Sequence, residues 1–299
     1  RRKPNTWRYD TKKKTEEFKM KAFKLGIKVA AVAGLTALLS ISASAGIENS
    51  KHDLRENANT TSGGTKITGA TEICVFCHTP HGSNVDVAAP LWNKTTGTAS
   101  VGYASSTLDG TAVLTGSPSL ACLSCHDGSQ AMNTIINAPS DAPSAGNAGY
   151  NYNASGQLYG TTSAPAGIMV NNIANLGTNL QNDHPVAIPY AGGGWSTADI
   201  GTTSDFINNA KDSDFVEPTT DVIGGLNAWW IEADGDDTKR TKGDLILYNR
   251  STTDGALDTV GYVECATCHD PHNAGTNIKS FLRMDSNDNS QVCLACHIK

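Results

Sequence analysis

Three scarcities bound the reading of this 299-residue chain. It has no apolar run of bilayer-spanning length: the stretch from Val29 to Ile41 offers roughly 13 residues where a transmembrane helix needs about 20. It has no cysteine outside one repeated five-residue unit, so no thiol is left over for other work. And it has only 8 histidines and 4 methionines, with an aliphatic content too thin for an ordinary core. A chain that folds without such a core needs apolar surface from another source.

The first 45 residues do not read as part of a globular domain. Lys21, Lys24 and Lys28 follow Met20 and lead into the apolar stretch, which Ala43-Ser44-Ala45 closes. This is the pattern of a secretory signal peptide over residues 20–45, cleaved after Ala45, and residues 1–19 read as an upstream, non-native extension. No cysteine stands at the cleavage point to take a lipid anchor. Of 23 basic and 29 acidic residues, 11 and 3 precede Gly46, which leaves 12 against 26 and a net charge near −14. Such a surface repels nucleic acid and anionic lipid, which sets both aside as partners.

The eight cysteines form CVFCH at Cys74 to His78, CLSCH at Cys122 to His126, CATCH at Cys265 to His269 and CLACH at Cys293 to His297. Four CxxC units could make two tetracysteine zinc sites, a disulfide framework or four covalent c-type haem attachments. The histidine decides. Its chance of following one CxxC is about 0.03, so four coincidences fall below about one in a million. Two thiols three residues apart project from one side of a helical turn toward the two vinyl groups of one porphyrin, and the adjacent His reaches the iron. The expectation is four haem c held by Cys74, Cys77, Cys122, Cys125, Cys265, Cys268, Cys293 and Cys296, with His78, His126, His269 and His297 as proximal ligands.

Four sixth positions remain, and so do four histidines: His52, His81, His184 and His272. The arithmetic closes with nothing spare, which favours bis-His ligation at every iron. Met132, Met169 and Met284 sit among apolar or small neighbours, as gap-filling side chains do. With both axial positions filled, no iron is open to a substrate, so the expectation is electron transfer rather than an enzyme, a multihaem reductase being the weaker alternative.

A repeat appears once the ligands are marked. Each half runs H, CxxCHxPH, CLxCH, with 43 residues between the signatures of the first pair and 23 in the second. The expected units are residues 46–160 and 161–299, the second carrying a loop-rich, haem-poor insertion. The predicted fold class is a mostly irregular multihaem cytochrome c, with short helices at the CxxCH sites, few short strands and a core formed by a row of four haems. Strands are predicted at Leu245 to Asn249 and Val260 to Cys265, and a helix before Cys122 or after Gln291. The acidic runs at Asp212 and Glu232 lack EF-hand spacing and read as solvated turns, and Trp229-Trp230 as packing.

CVFCHTPHG, PLWNK at Pro90, CLSCHDG, NDHPV at Asn182, ECATCHDPHN, FLR at Phe281 and CLACHIK together resemble the outer-surface tetrahaem cytochromes of metal-reducing bacteria. The subunits of that family polymerise into extracellular conductive filaments. The resemblance implies bis-His ligation, alternating stacked and perpendicular haem pairs, and one distal His donated across the subunit boundary. It also implies redox partners and extracellular acceptors such as metal oxides or other cells. His52, on a polar arm near the start of the exported chain, is the favoured cross-boundary donor, with His184 second. The alternative is a monomeric periplasmic shuttle.

Axial ligands lie on opposite faces of a porphyrin, so a residue three positions after His78, across the stiff Thr79-Pro80 link, cannot reach the same iron. The expected assignment therefore gives His81 to the haem on Cys122 and Cys125. By the same reasoning His272 goes to the haem on Cys293 and Cys296.

Overall fold

The computed structural model describes residues 46–58, 66–68, 70–96, 101–132, 134–137, 151–152, 168–169, 173–201, 205–233, 235, 239–250, 259–273, 279–284 and 290–298. All belong to one compact unit, Ala45–Lys299. The expected signal peptide and the extension before it lie outside the described residues. No helix among them is long and apolar enough to cross a membrane.

Regular structure is sparse, and three of the four α-helices among the described residues carry CxxCH segments. Helix α1 (Ser119–His126) holds the second signature. Cys122 and Cys125 stand three residues apart on it and so share a face. It ends where Gly128 takes φ +70; a Cβ there would come within 2.8 Å of Asn175, so the turn admits only glycine. Helix α2 (Asp205–Asn209) lies between the two CxxCH pairs. The third signature starts helix α3 (Cys265–Cys268), where Thr267 Oγ1 accepts from the Glu264 N–H at 2.9 Å. The fourth lies on helix α4 (Gln291–Leu294). The first signature is a bare turn closed by His78 N donating to Cys74 O at 2.8 Å.

The strands are short. β1 (Ile67–Thr68) pairs antiparallel with β2 (Asn151–Tyr152), and β3 (Ile188–Pro189) with β7 (Tyr262–Val263). A three-stranded antiparallel sheet is formed by β4 (Thr219–Ile223), β5 (Leu226–Ile231) and β6 (Leu245–Leu247), in that order. β6 and β7 fall inside the two predicted strands. The β4–β5 hairpin was not anticipated: Gly224 (φ 62) and Gly225 (φ 84) form the two-residue turn whose left-handed backbone matches strand twist.

This hairpin gives the middle segment a protein core. Trp229 and Ile231 pack with Tyr190, Trp195, Phe206, Leu245, Leu247 and Val263, all buried. The segment read as loops thus supplies its own apolar layer, because aromatic side chains compensate for the few aliphatic ones. A second cluster joins Leu54, Ile67, Phe76, Met132, Ile135 and Met169 beside the first signature. Met132 and Met169 are packing residues there, as their neighbours suggested.

The repeat is also structural. Around the first signature, Thr79 N donates to Leu91 O at 2.9 Å, Asn93 N to Cys77 O at 2.9 Å, and His78 bridges Trp92. Around the third, Asp270 N donates to Phe281 O at 2.8 Å, Arg283 N to Cys268 O at 2.8 Å, and His269 bridges Leu282. Residues 90–94 are therefore the counterpart of residues 280–284, with Leu91 (φ 54) and Phe281 (φ 58) in the same left-handed conformation.

Candidate haem site

Each signature histidine for which a ring hydrogen bond is seen holds Nδ1 against a carbonyl. His78 Nδ1 lies 2.7 Å from Pro90 O, His126 Nδ1 2.7 Å from Ala174 O, and His269 Nδ1 2.8 Å from Ser280 O. A carbonyl only accepts, so the proton is on Nδ1 and the Nε2 lone pair is free for a metal. His297 packs its ring on Phe215 at 4.4 Å.

The histidines outside the signatures fall into two classes. His272 faces His78 with ring centroids 6.2 Å apart and planes 23° from parallel. His52 faces His126 at 6.1 Å and 77°. His52 also stacks on Phe281 at 4.2 Å, and its ring N–H donates to the Pro271 carbonyl. His81 and His184 are exposed, and among the described residues no ring faces either one. His184 Nδ1 lies 3.0 Å from Pro185 O, so its Nε2 lone pair is also free.

These distances test the fit of a cofactor. Two imidazoles on opposite sides of one metal, each at about 2 Å, set their centroids about 6.3 Å apart. Both opposed pairs meet that spacing. A second observation agrees: Trp92 Nε1–H, beside His78, is buried without an acceptor among the described residues. It is a donor left for a group outside the described residues.

The pairing departs from the expected one. His272 faces His78, not the fourth signature, because the two CxxCHxPH turns pack against each other across the repeat. The ring facing His126 belongs to His52, not His81. His52, expected as a cross-boundary donor, thus lies against a signature of its own chain.

The thiols bear on the rival readings of the cysteines. All eight are free of disulfides. Among the described residues, no group of three or more His, Cys, Asp or Glu side chains could hold a metal ion. Burial pushes the Cys77 and Cys296 thiols up to about 12 and Cys268 to about 11.

One buried polar node fixes the second signature against the third. Glu264 Oε2 accepts from Ser117 Oγ and Ser119 Oγ, each at 2.5 Å, and Glu264 Oε1 accepts from Arg250 Nε at 2.9 Å and Nη2 at 2.6 Å. Arg250 Nη1 reaches the carbonyl of Val113, and its guanidinium lies 4.5 Å over the Tyr262 ring. Cys265 N donates to Ser119 Oγ at 2.9 Å. The Cys122 thiol hydrogen-bonds Cys265, which together with burial holds it above its usual range.

Residues 259–299 match the family described as Doubled CXXCH motif. This segment of the chain carries a multihaem c-type cytochrome motif. The matched residues contain the third and fourth signatures and His272, one ring of the His78–His272 pair, while His52, His78 and His126 lie outside them. The motif indicates covalently bound c-type haem. No curated protein matches the chain.

Proposed function

We infer that the chain is a tetrahaem c-type cytochrome that carries electrons over long distances, with all four irons held by two histidines. The opposed rings of His78 with His272 and His126 with His52 carry this reading. The haem irons supply one-electron chemistry at close spacing. The chain's residues set that spacing, fill the axial positions and leave no iron open to a substrate, so no enzymatic activity is proposed. The repeat makes His81 the counterpart of His272, which assigns His81 to the His269 site by analogy alone, since its exposed ring faces no other ring among the described residues. That leaves His184 for the His297 site.

His184 is exposed and already in the ligating tautomer, whereas His297 is covered within its own chain by Phe215. This arrangement favours donation of His184 across a subunit boundary, into a homopolymer that is exported to the cell surface and passes electrons to extracellular acceptors. Two measurements test the reading. A pyridine haemochrome assay should give four haems per chain, and mild shearing of cells should release particles far above one subunit. A species of about 30 kDa under all conditions would instead favour the monomeric periplasmic shuttle.

A further inference from the structure

Lys94 is fully buried, and its Nζ lies 3.0 Å from Ala131 O, 3.3 Å from Met132 O and 2.6 Å from Thr134 O. All three partners only accept. Three hydrogen bonds to acceptors need three N–H groups, so the amine is the protonated ammonium. No carboxylate among the described residues lies within ion-pair distance of it, and burying such a charge is costly unless it does something.

Its position says what. Asn93, the preceding residue, is laced to the first signature through Cys77 O at 2.9 Å and Val75 O at 2.6 Å. The carbonyl cage at residues 131–134 adjoins the buried cluster in which Met132 and Ile135 pack with Phe76 of the first signature, so the ammonium lies beside the segment that attaches a haem.

The repeat provides an internal comparison. Met284 is the counterpart of Lys94, and Arg283 that of Asn93. Arg283 Nε donates to Ala266 O at 2.9 Å, as Asn93 Nδ2 does to Val75 O. Arg283 Nη1, however, stands 3.8 Å from Asp270 Oδ2, while Thr79 occupies the position of Asp270 in the first turn. The third signature thus has a neutralised ion pair where the first has an uncompensated cation.

We propose that Lys94 is a built-in electrostatic bias that raises the reduction potential of the haem at Cys74 and Cys77 above that of its repeat counterpart at Cys265 and Cys268. One added electron lowers the charge of an iron site by one unit, and a fixed cation in a poorly screened interior favours that reduced form. Lys94 acts as a positioning charge and touches no axial ligand. The inference rests on the multihaem reading above.

The test is a spectropotentiometric titration of the holoprotein and of Lys94→Met, the side chain that the second half of the repeat already uses. The expected result is a fall in one midpoint alone. At fixed potential the reduced-to-oxidised ratio of that haem drops about tenfold, which is 59 mV for a one-electron couple. The low-spin spectrum is retained. Lys94→Arg keeps the charge and should keep the midpoint. If Lys94→Met fails to assemble, Lys94→Gln, which can still donate to the cage, should show the same fall. Unmoved midpoints in a normally loaded neutral variant, or equal shifts in the Arg and neutral variants, would overturn the proposal. A wild-type chain lacking covalent haem would defeat the multihaem reading itself.

Discussion

His78 and His272 come from opposite halves of the chain, yet their rings face one another at 6.2 Å and 23°. Each follows a CxxC pair, His78 directly and His272 three residues beyond the signature histidine His269. The two halves therefore meet at these two rings, where the proposed function puts one iron.

Replacing His272 by Ala should convert one haem from low-spin to high-spin and make it bind carbon monoxide, with the three others unchanged. His52→Ala should do the same at a different haem, the one on Cys122 and Cys125. Absorption and electron paramagnetic resonance spectra of the two variants check this. Identical spectra from both would contradict the pairing.

Glu264→Ala should destabilise the protein by about 3–5 kcal/mol, because it strands the Arg250 charge in the interior. The double variant Arg250→Met, Glu264→Leu should recover most of that loss. Thermal melts of the wild type, both single variants and the double variant measure the difference.

Trp229 is fully buried beneath the hairpin sheet, so Trp229→Ala should cost about 3–5 kcal/mol. The axial ligation of the His78 and His126 sites should survive, since their rings and carbonyl partners lie outside that core. A chemical melt read alongside the Soret spectrum separates the two outcomes.

Acid should act on the ligand pair in a defined window. Burial, and then repulsion from His126, lower His52 from 6.5 to about 4, and burial lowers His126 as well. The folded state thus binds fewer protons than the unfolded chain in this range. Stability from these rings is present in full above about 6.5 and is lost as pH falls toward about 4. Acid unfolding followed by far-ultraviolet circular dichroism checks this, and a stability that did not fall between pH 6.5 and 4 would contradict it.

Much of the site was legible in the sequence because covalent attachment demands fixed spacing: every CxxCH segment and the doubled HxPH could be read directly. Helix α1 and strands β6 and β7 were legible from local pattern. The hairpin at Thr219–Ile231 was missed although Gly224-Gly225 between two β-branched and aromatic runs is a hairpin signal, hidden there by the Gly- and Asn-rich stretches around it. Which histidine faces which could not be read, since exchange between the two HxPH turns is a matter of packing. The burial of Lys94 could not be read from PLWNK, because its cage of carbonyls from residues 131–134 is formed by packing.

The donation of His184 across a subunit boundary is tested most directly by comparing ligation in assembled and dissociated protein. Near-infrared magnetic circular dichroism of the polymer should show four bis-His haems per chain, and dissociation to single subunits should turn one of them high-spin. A dissociated subunit that keeps all four haems bis-His would contradict the account.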